Sequence, residues 1–285
     1  MTVFAFFPQL LKDCQGPRRA GWGGVFFRWV AVLLLMNLPA RSAEWLLSGE
    51  IGSHDPTIIQ EDGNYKNGGW WWSPATGGGL AMKYSLDGVV WRQGLPIFTP
   101  ETKPAWWTER VPRMRPLNVW APDLRKYRGR YWCYYAISEF GRNTSAIGLV
   151  SASGIFRGDW REDGPVLASR EDVDGFAAID PGLVIDAHDQ PWLLYGSYFD
   201  GIHLIPLNPE TMKPEGNAAG ITIARRRPDL GLEGANIVYS NGYYYLFVSI
   251  DACCNGKDST SRIAVARSRE VTGPYVGRDD REAPA

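Results

Sequence analysis

An aspartate followed at once by a proline, Asp180-Pro181, interrupts a run of strand-forming residues at 176–185. Strand interiors deplete both residue types. The interruption makes sense where the chain enters a strand, with the carboxylate at the strand's mouth. The same device recurs at His54-Asp55-Pro56, Ala121-Pro122-Asp123 and Leu232-Glu233-Gly234. After each acid comes a strand-like run, a glycine-containing turn and an aromatic-rich second run. Successive acids lie 68, 57 and 53 residues apart. Units of this length with about four strands each are the blades of a β-propeller. A propeller aims the start of each innermost strand at its channel, so four acids distant in sequence would meet around one axis. A two-sheet sandwich is the competing arrangement.

From Glu44 onward helical periodicity is almost absent, and no Ser/Gly linker or charge block divides the chain. We therefore read one all-β domain over 44–285. A hydrophobic content of 45% sustains a core. A net charge of −1, from 30 basic and 31 acidic residues, gives no reason to expect a nucleic-acid partner. The 13 Trp and 13 Tyr suit β-sheets and also the stacking of sugar rings.

Residues 1–43 read as a leader. Arg18, Arg19 and Arg28 precede a short apolar run at 29–38, and the small residues Ala40, Ser42 and Ala43 follow a proline. This is the grammar of an export signal, so the mature protein is expected outside the cytoplasm, secreted or periplasmic, with no membrane span. Of four cysteines, Cys14 falls in the leader and Cys133 is expected to be a buried small hydrophobe. Cys253-Cys254 form either a vicinal disulfide or two reduced thiols.

Carboxylates gathered at a channel mouth can bind a cation, hold an ion-pair network or do acid/base work. The chain has three histidines and lacks the zinc-hydrolase, phosphate-loop and nucleophile-elbow motifs. Two acids flanking a sugar bond are the usual requirement of glycoside hydrolysis. Crowding them in a partly dry funnel drives their pKa values apart and gives similar groups different tasks.

The motifs Ser53-His54-Asp55-Pro56, Trp120-Ala121-Pro122-Asp123 and Ala178-Ile179-Asp180-Pro181 occur in a fixed order with Ser138-Glu139-Phe140-Gly141-Arg142-Asn143-Thr144-Ser145 and Gly196-Ser197-Tyr198. Cys253-Cys254 and the 257–260 stretch follow. Taken together they resemble glycoside hydrolase family 43, most of all its endo-1,5-α-L-arabinanases. The resemblance implies a five-bladed β-propeller, of which about four blades are present and the last is missing. It implies inverting hydrolysis of arabinan by a monomer, with Asp55 as general base, Glu233 as general acid and Asp180 as the residue that tunes and orients it. It further implies substrate contacts from Trp120, Asp123, Phe140, Asn143, Ser145, Ser197 and Tyr198. The family's axial metal, commonly calcium, would lack its histidine ligand here. Ala235 stands where the family usually has proline. An exo-acting arabinofuranosidase or xylosidase, and an inactive arabinan-binding propeller, are the alternatives.

Overall fold

The computed structural model describes residues 46–61, 70–216, 220–227 and 229–278. The leader expected at 1–43 lies outside the described residues, as does Cys14. Among them the chain forms four twisted sheets in sequence order. The first blade holds β2 (Ile59–Glu61), β3 (Trp70–Ala75), β4 (Ala81–Ser85) and β5 (Val90–Gln93), with β1 (Ser48–Gly49) added parallel to β5 at the outer edge. The second runs β6 (Trp120–Tyr127), β7 (Arg130–Ser138), β8 (Ser145–Ala152) and β9 (Arg161–Ser169). The third is β10 (Gly182–Ile185), β11 (Pro191–Tyr195), β12 (Ile202–Pro206) and β13 (Ile221–Ala224). The fourth is β14 (Leu232–Ser240), β15 (Tyr243–Ile250) and β16 (Arg262–Ser268). Within each blade consecutive strands pair antiparallel, so these are meandering β-propeller blades rather than the crossed layers of a sandwich.

Alternation along the strands explains how the blades stack. In β7, Tyr131, Cys133, Tyr135 and Ile137 point to a core shared with Trp72, Leu80 and Met82 of the first blade. The intervening Trp132 and Tyr134 point to a second core with Leu183, Leu193 and Ile205 of the third. A third core joins Leu194 and Leu204 to Ile237, Leu246 and Val248 of the fourth. Period-2 patterning thus reads here as two buried faces per sheet. On the opposite face of the fourth sheet, Val238, Ile263 and Val265 remain exposed.

Packing is tight enough to dictate residue size. A Cβ at Gly148 would come within 2.4 Å of the Tyr135 ring. Only glycine lets that ring lie across β8, where it meets Phe98 and Trp107 edge-on and accepts a 3.1 Å hydrogen bond from Trp107 Nε1. Trp107 sits on the short helix α1 (Trp106–Arg110). Cys133 is fully buried, as its apolar setting predicts.

The side-chain carboxylate of Glu61, at the end of β2, is a tie between blades. It accepts hydrogen bonds from Trp72 Nε1 at 2.8 Å and from the backbone N–H groups of Ile155 and Phe156 at 2.7 and 3.0 Å. Glu61 is only 5% exposed, so these donors are what make its burial tolerable.

Candidate active site

The mouths of the innermost strands share one backbone device. Asp55, Ala121, Asp180 and Gly234 have φ of 46°, 41°, 52° and 59°, and each is followed by Pro56, Pro122, Pro181 or Ala235. Left-handed φ is uncommon outside glycine, and aspartate tolerates it better than alanine because its short polar side chain bonds locally. Proline then fixes the chain as it enters the strand.

This alignment corrects the sequence reading in one respect. The second blade's mouth residue is Ala121, not Asp123. A β-bulge between Trp120 and Asp123 breaks the register there, and another follows Glu233. Asp123 lies two residues deeper and is 5% exposed. Its carboxylate accepts from the Leu183 backbone N–H at 2.7 Å and from Thr57 Oγ1 at 3.3 Å, and it pairs with Arg125 at 3.1 Å. Those contacts tie three blades together and leave the carboxylate committed away from a substrate.

Asp55, Asp180 and Glu233 do converge. Thr76 Oγ1 donates to Asp55 Oδ2 at 2.8 Å and itself accepts from the Ala121 N–H at 2.8 Å, linking the first two mouths. His54 Nε2 stands 3.4 Å from the same Asp55 oxygen. Asp180 Oδ2 accepts from the Gly234 N–H at 2.9 Å, reaching the residue directly after Glu233. Ser197 Oγ stands 3.5 Å from Glu233 Oε2.

The electrostatics separate the three. Asp180 is pushed up to about 7, first by burial, then by the charge on Glu233 and, after an opposing hydrogen bond from Gly234, by that on Asp55. Glu233 is also raised, by burial and then by the charge on Asp55, with the Ser197 hydroxyl and His54 pulling back. Asp55 is the most open of the three, with its side chain 42% exposed. One funnel therefore holds an exposed acid beside two whose pKa values are raised, and unlike acids side by side are what acid/base chemistry needs.

The other expected contacts divide. Trp120 and Phe140 meet edge-on at 6.3 Å, and Phe140 is 77% exposed, presenting an aromatic face to solvent. With Arg113, Arg115, Glu139 and Arg142 they line a cavity of about 440 Å³. Ser197 is buried beside Glu233, and half-buried Tyr198 lies near enough for the charge on Glu233 to raise its phenol, after burial. Asn143 and Ser145, in contrast, point into the protein. Asn143 Nδ2 donates to the Asp174 and Phe176 carbonyls at 2.7 and 3.3 Å, and fully buried Ser145 pairs with Ser138 at 2.9 Å. Both side chains are engaged in bonds within the protein.

Two residues that pattern-reading passed over complete the site. Thr76 is the link just described. Lys83, 8% exposed, donates to the Gly52 carbonyl and, at 3.0 Å, to Ser53 Oγ, fixing the segment that leads into Asp55. Cys253 and Cys254 are joined as a vicinal disulfide. Among the described residues no group of three or more His, Cys, Asp or Glu side chains is placed to hold a metal ion. No step below uses the calcium that the family resemblance implies.

Comparison with known proteins identifies the family and the fold. The model of "Glycosyl hydrolases family 43" matches residues 50–283. Extracellular endo-α-(1→5)-L-arabinanase 1 of Bacillus subtilis is 43% identical over 84% of this chain and 72% of its own length. Extracellular exo-α-(1→5)-L-arabinofuranosidase ArbA of Cellvibrio japonicus is 33% identical over 82% of this chain and 69% of its own. Among solved structures, the GH43 endo-arabinanase from Bacillus licheniformis superposes with a TM-score of 0.76 at 46% identity, covering 84% of this chain and 79% of that one. Four meandering blades, three acids at their mouths and a family match across nearly all of the described chain lead to one conclusion: this protein belongs to glycosyl hydrolases family 43.

Proposed function

We propose that the protein is an extracellular arabinan endo-1,5-α-L-arabinosidase that works with inversion. The observation that carries the mechanism is the placing of the three acids at adjoining mouths, Asp55 held by Thr76, Asp180 bonded to the Gly234 N–H beside Glu233, and Ser197 against Glu233. Glu233, half-buried and with its pKa raised, serves as the acid: in its protonated form it gives its proton to the glycosidic oxygen as the bond to the anomeric carbon breaks. Asp55, held by Thr76, takes a proton from water, and the resulting hydroxide attacks that carbon from the opposite face. Inversion calls for a separation of roughly 6.5–9.5 Å between base and acid, enough for that water. Asp180 grips the Gly234 N–H and so fixes the backbone beside Glu233.

Endo action is favoured by the exposed Phe140 ring, which meets half-buried Trp120 edge-on, and by the cavity that both line. The names of the two curated relatives, one endo and one exo, keep exo cleavage as the second reading. The exposed apolar face at Val238, Ile263 and Val265 suits a fifth blade, and the ring is inferred to be five-bladed and monomeric.

The test is reducing-sugar release from debranched arabinan, with products separated by size. A ladder of oligosaccharides supports endo action, whereas arabinose alone supports exo action. Glu233→Gln should lower kcat by about 10²–10⁴-fold. Wild-type kcat in that variant would overturn the assignment.

A further inference from the structure

We propose that the cavity beside Trp120 is a distal subsite for a carboxylate-bearing sugar, a uronosyl unit within the polysaccharide. Its volume of about 440 Å³ lies in the range of small-molecule sites. The lining is unusual for a neutral ligand. Three arginines, Arg113, Arg115 and Arg142, line it with a single acidic residue, Glu139. Glu139 is already engaged with Arg113, and Arg142 is paired with Glu171 outside the cavity. Arg115 makes no ion pair among the described residues.

The wall is also built rather than loose. Glu139 is 7% exposed and holds Arg113 at two points, accepting from its backbone N–H at 3.1 Å and meeting its Nε at 3.3 Å. Phe140, which also lines the cavity, offers its exposed ring as a stacking face. A hydroxyl-bearing furanose gains only neutral hydrogen bonds from a surplus cation. A carboxylate gains a charge-assisted and often bidentate pair with arginine.

The cavity adjoins the reaction centre through its own wall. Trp120 precedes Ala121, whose N–H is bound by the same Thr76 hydroxyl that holds Asp55. A chain seated in the cavity would therefore run towards the acids. The inference rests on the arabinanase reading only for the polymer that it puts in the groove.

Binding of methyl α-D-galactosiduronate to the full chain, measured by NMR titration at low salt, tests it against methyl α-D-galactoside as the neutral control. We expect the uronate to bind at least about fivefold more tightly, the scale of one partly exposed ion pair. That preference should vanish in Arg115→Gln, with the melting temperature unchanged, and fade in 0.5 M salt as screening takes hold, about 0.5 M lying between the regimes of long and short Debye length. Equal affinities for the two sugars, or a preference that survives in Arg115→Gln, would overturn the subsite. A protein that cleaves arabinan yet shows equal affinities loses the subsite and keeps the hydrolase reading. One that prefers the uronate without cleaving arabinan does the reverse.

Discussion

Replacing Asp180 with asparagine should make the protein more stable and less active, with a pH signature that identifies the cause. The carboxyl moves from 3.8 to about 7 on folding. That is about three units, each worth about 1.36 kcal/mol, so the full cost of its ionised form is ~4 kcal/mol. Asp180 is only half-buried, and solvent screens part of that cost. We expect Asp180→Asn to gain about 1–3 kcal/mol at pH 8. The sign follows from proton binding. The folded state holds this proton more tightly than the unfolded chain does, so wild-type stability falls as pH rises from about 4 to about 7. The amide does not titrate, and its oxygen can still accept from the Gly234 N–H. The gain should therefore disappear below about pH 4, where the carboxyl is protonated in both states. Urea unfolding followed by tryptophan fluorescence between pH 4 and 8.5 reads the difference, because every other titrating group is common to both proteins. Hydrolysis should fall by about 10²-fold or more, since the group that orients Glu233 is altered. A stability difference that stays flat with pH, or a variant less stable at pH 8, would refute the reasoning.

Thr76→Val keeps the volume but removes the donor to Asp55 and the acceptor for Ala121, so kcat on arabinan should drop about tenfold or more with a stability loss of about 1–3 kcal/mol. Asp123→Ala strips the partner from the buried Leu183 N–H, and thermal melting should show a loss of about 2–4 kcal/mol while KM for arabinan holds. In a pH–rate profile the alkaline limb of kcat/KM should lie above the ordinary carboxylate range, because Glu233 must be protonated to act and its pKa is raised. A limb at the unperturbed glutamate value would count against Glu233 as the acid.

The blades were legible because their signals are local. Each mouth carries Asp-Pro or a near equivalent, and each second strand is a run rich in aromatic and apolar residues, with two buried faces in the second blade. The expectation that Asp55, Asp180 and Glu233 share a site draws on the same local signals, and the structure brings the three together. Asp123 misled because a bulge offsets strand register without leaving a mark in composition; Ala121, at the true mouth, has no side chain to attract attention. Asn143 and Ser145 carry groups that suit a sugar equally well as a buried carbonyl, and only the fold decides which they meet. Thr76 and Lys83 act on residues more than twenty positions away, a relation that no spacing rule encodes. The exposed face at Val238, Ile263 and Val265 likewise needed the sheet before it could be seen as one surface.

The shared backbone of the four mouths makes them equivalent seats, yet their occupants differ. Blades one and three seat a carboxylate, blade four seats a glycine with its acid one residue earlier, and blade two seats a methyl group beside an indole. A main chain with near-rotational symmetry is thus lopsided in charge, negative along most of the rim and cationic past Trp120. A polysaccharide laid across such a rim does not meet the same potential from both directions. That asymmetry would favour one of the two directions in which a chain, itself unlike at its two ends, can lie along the rim.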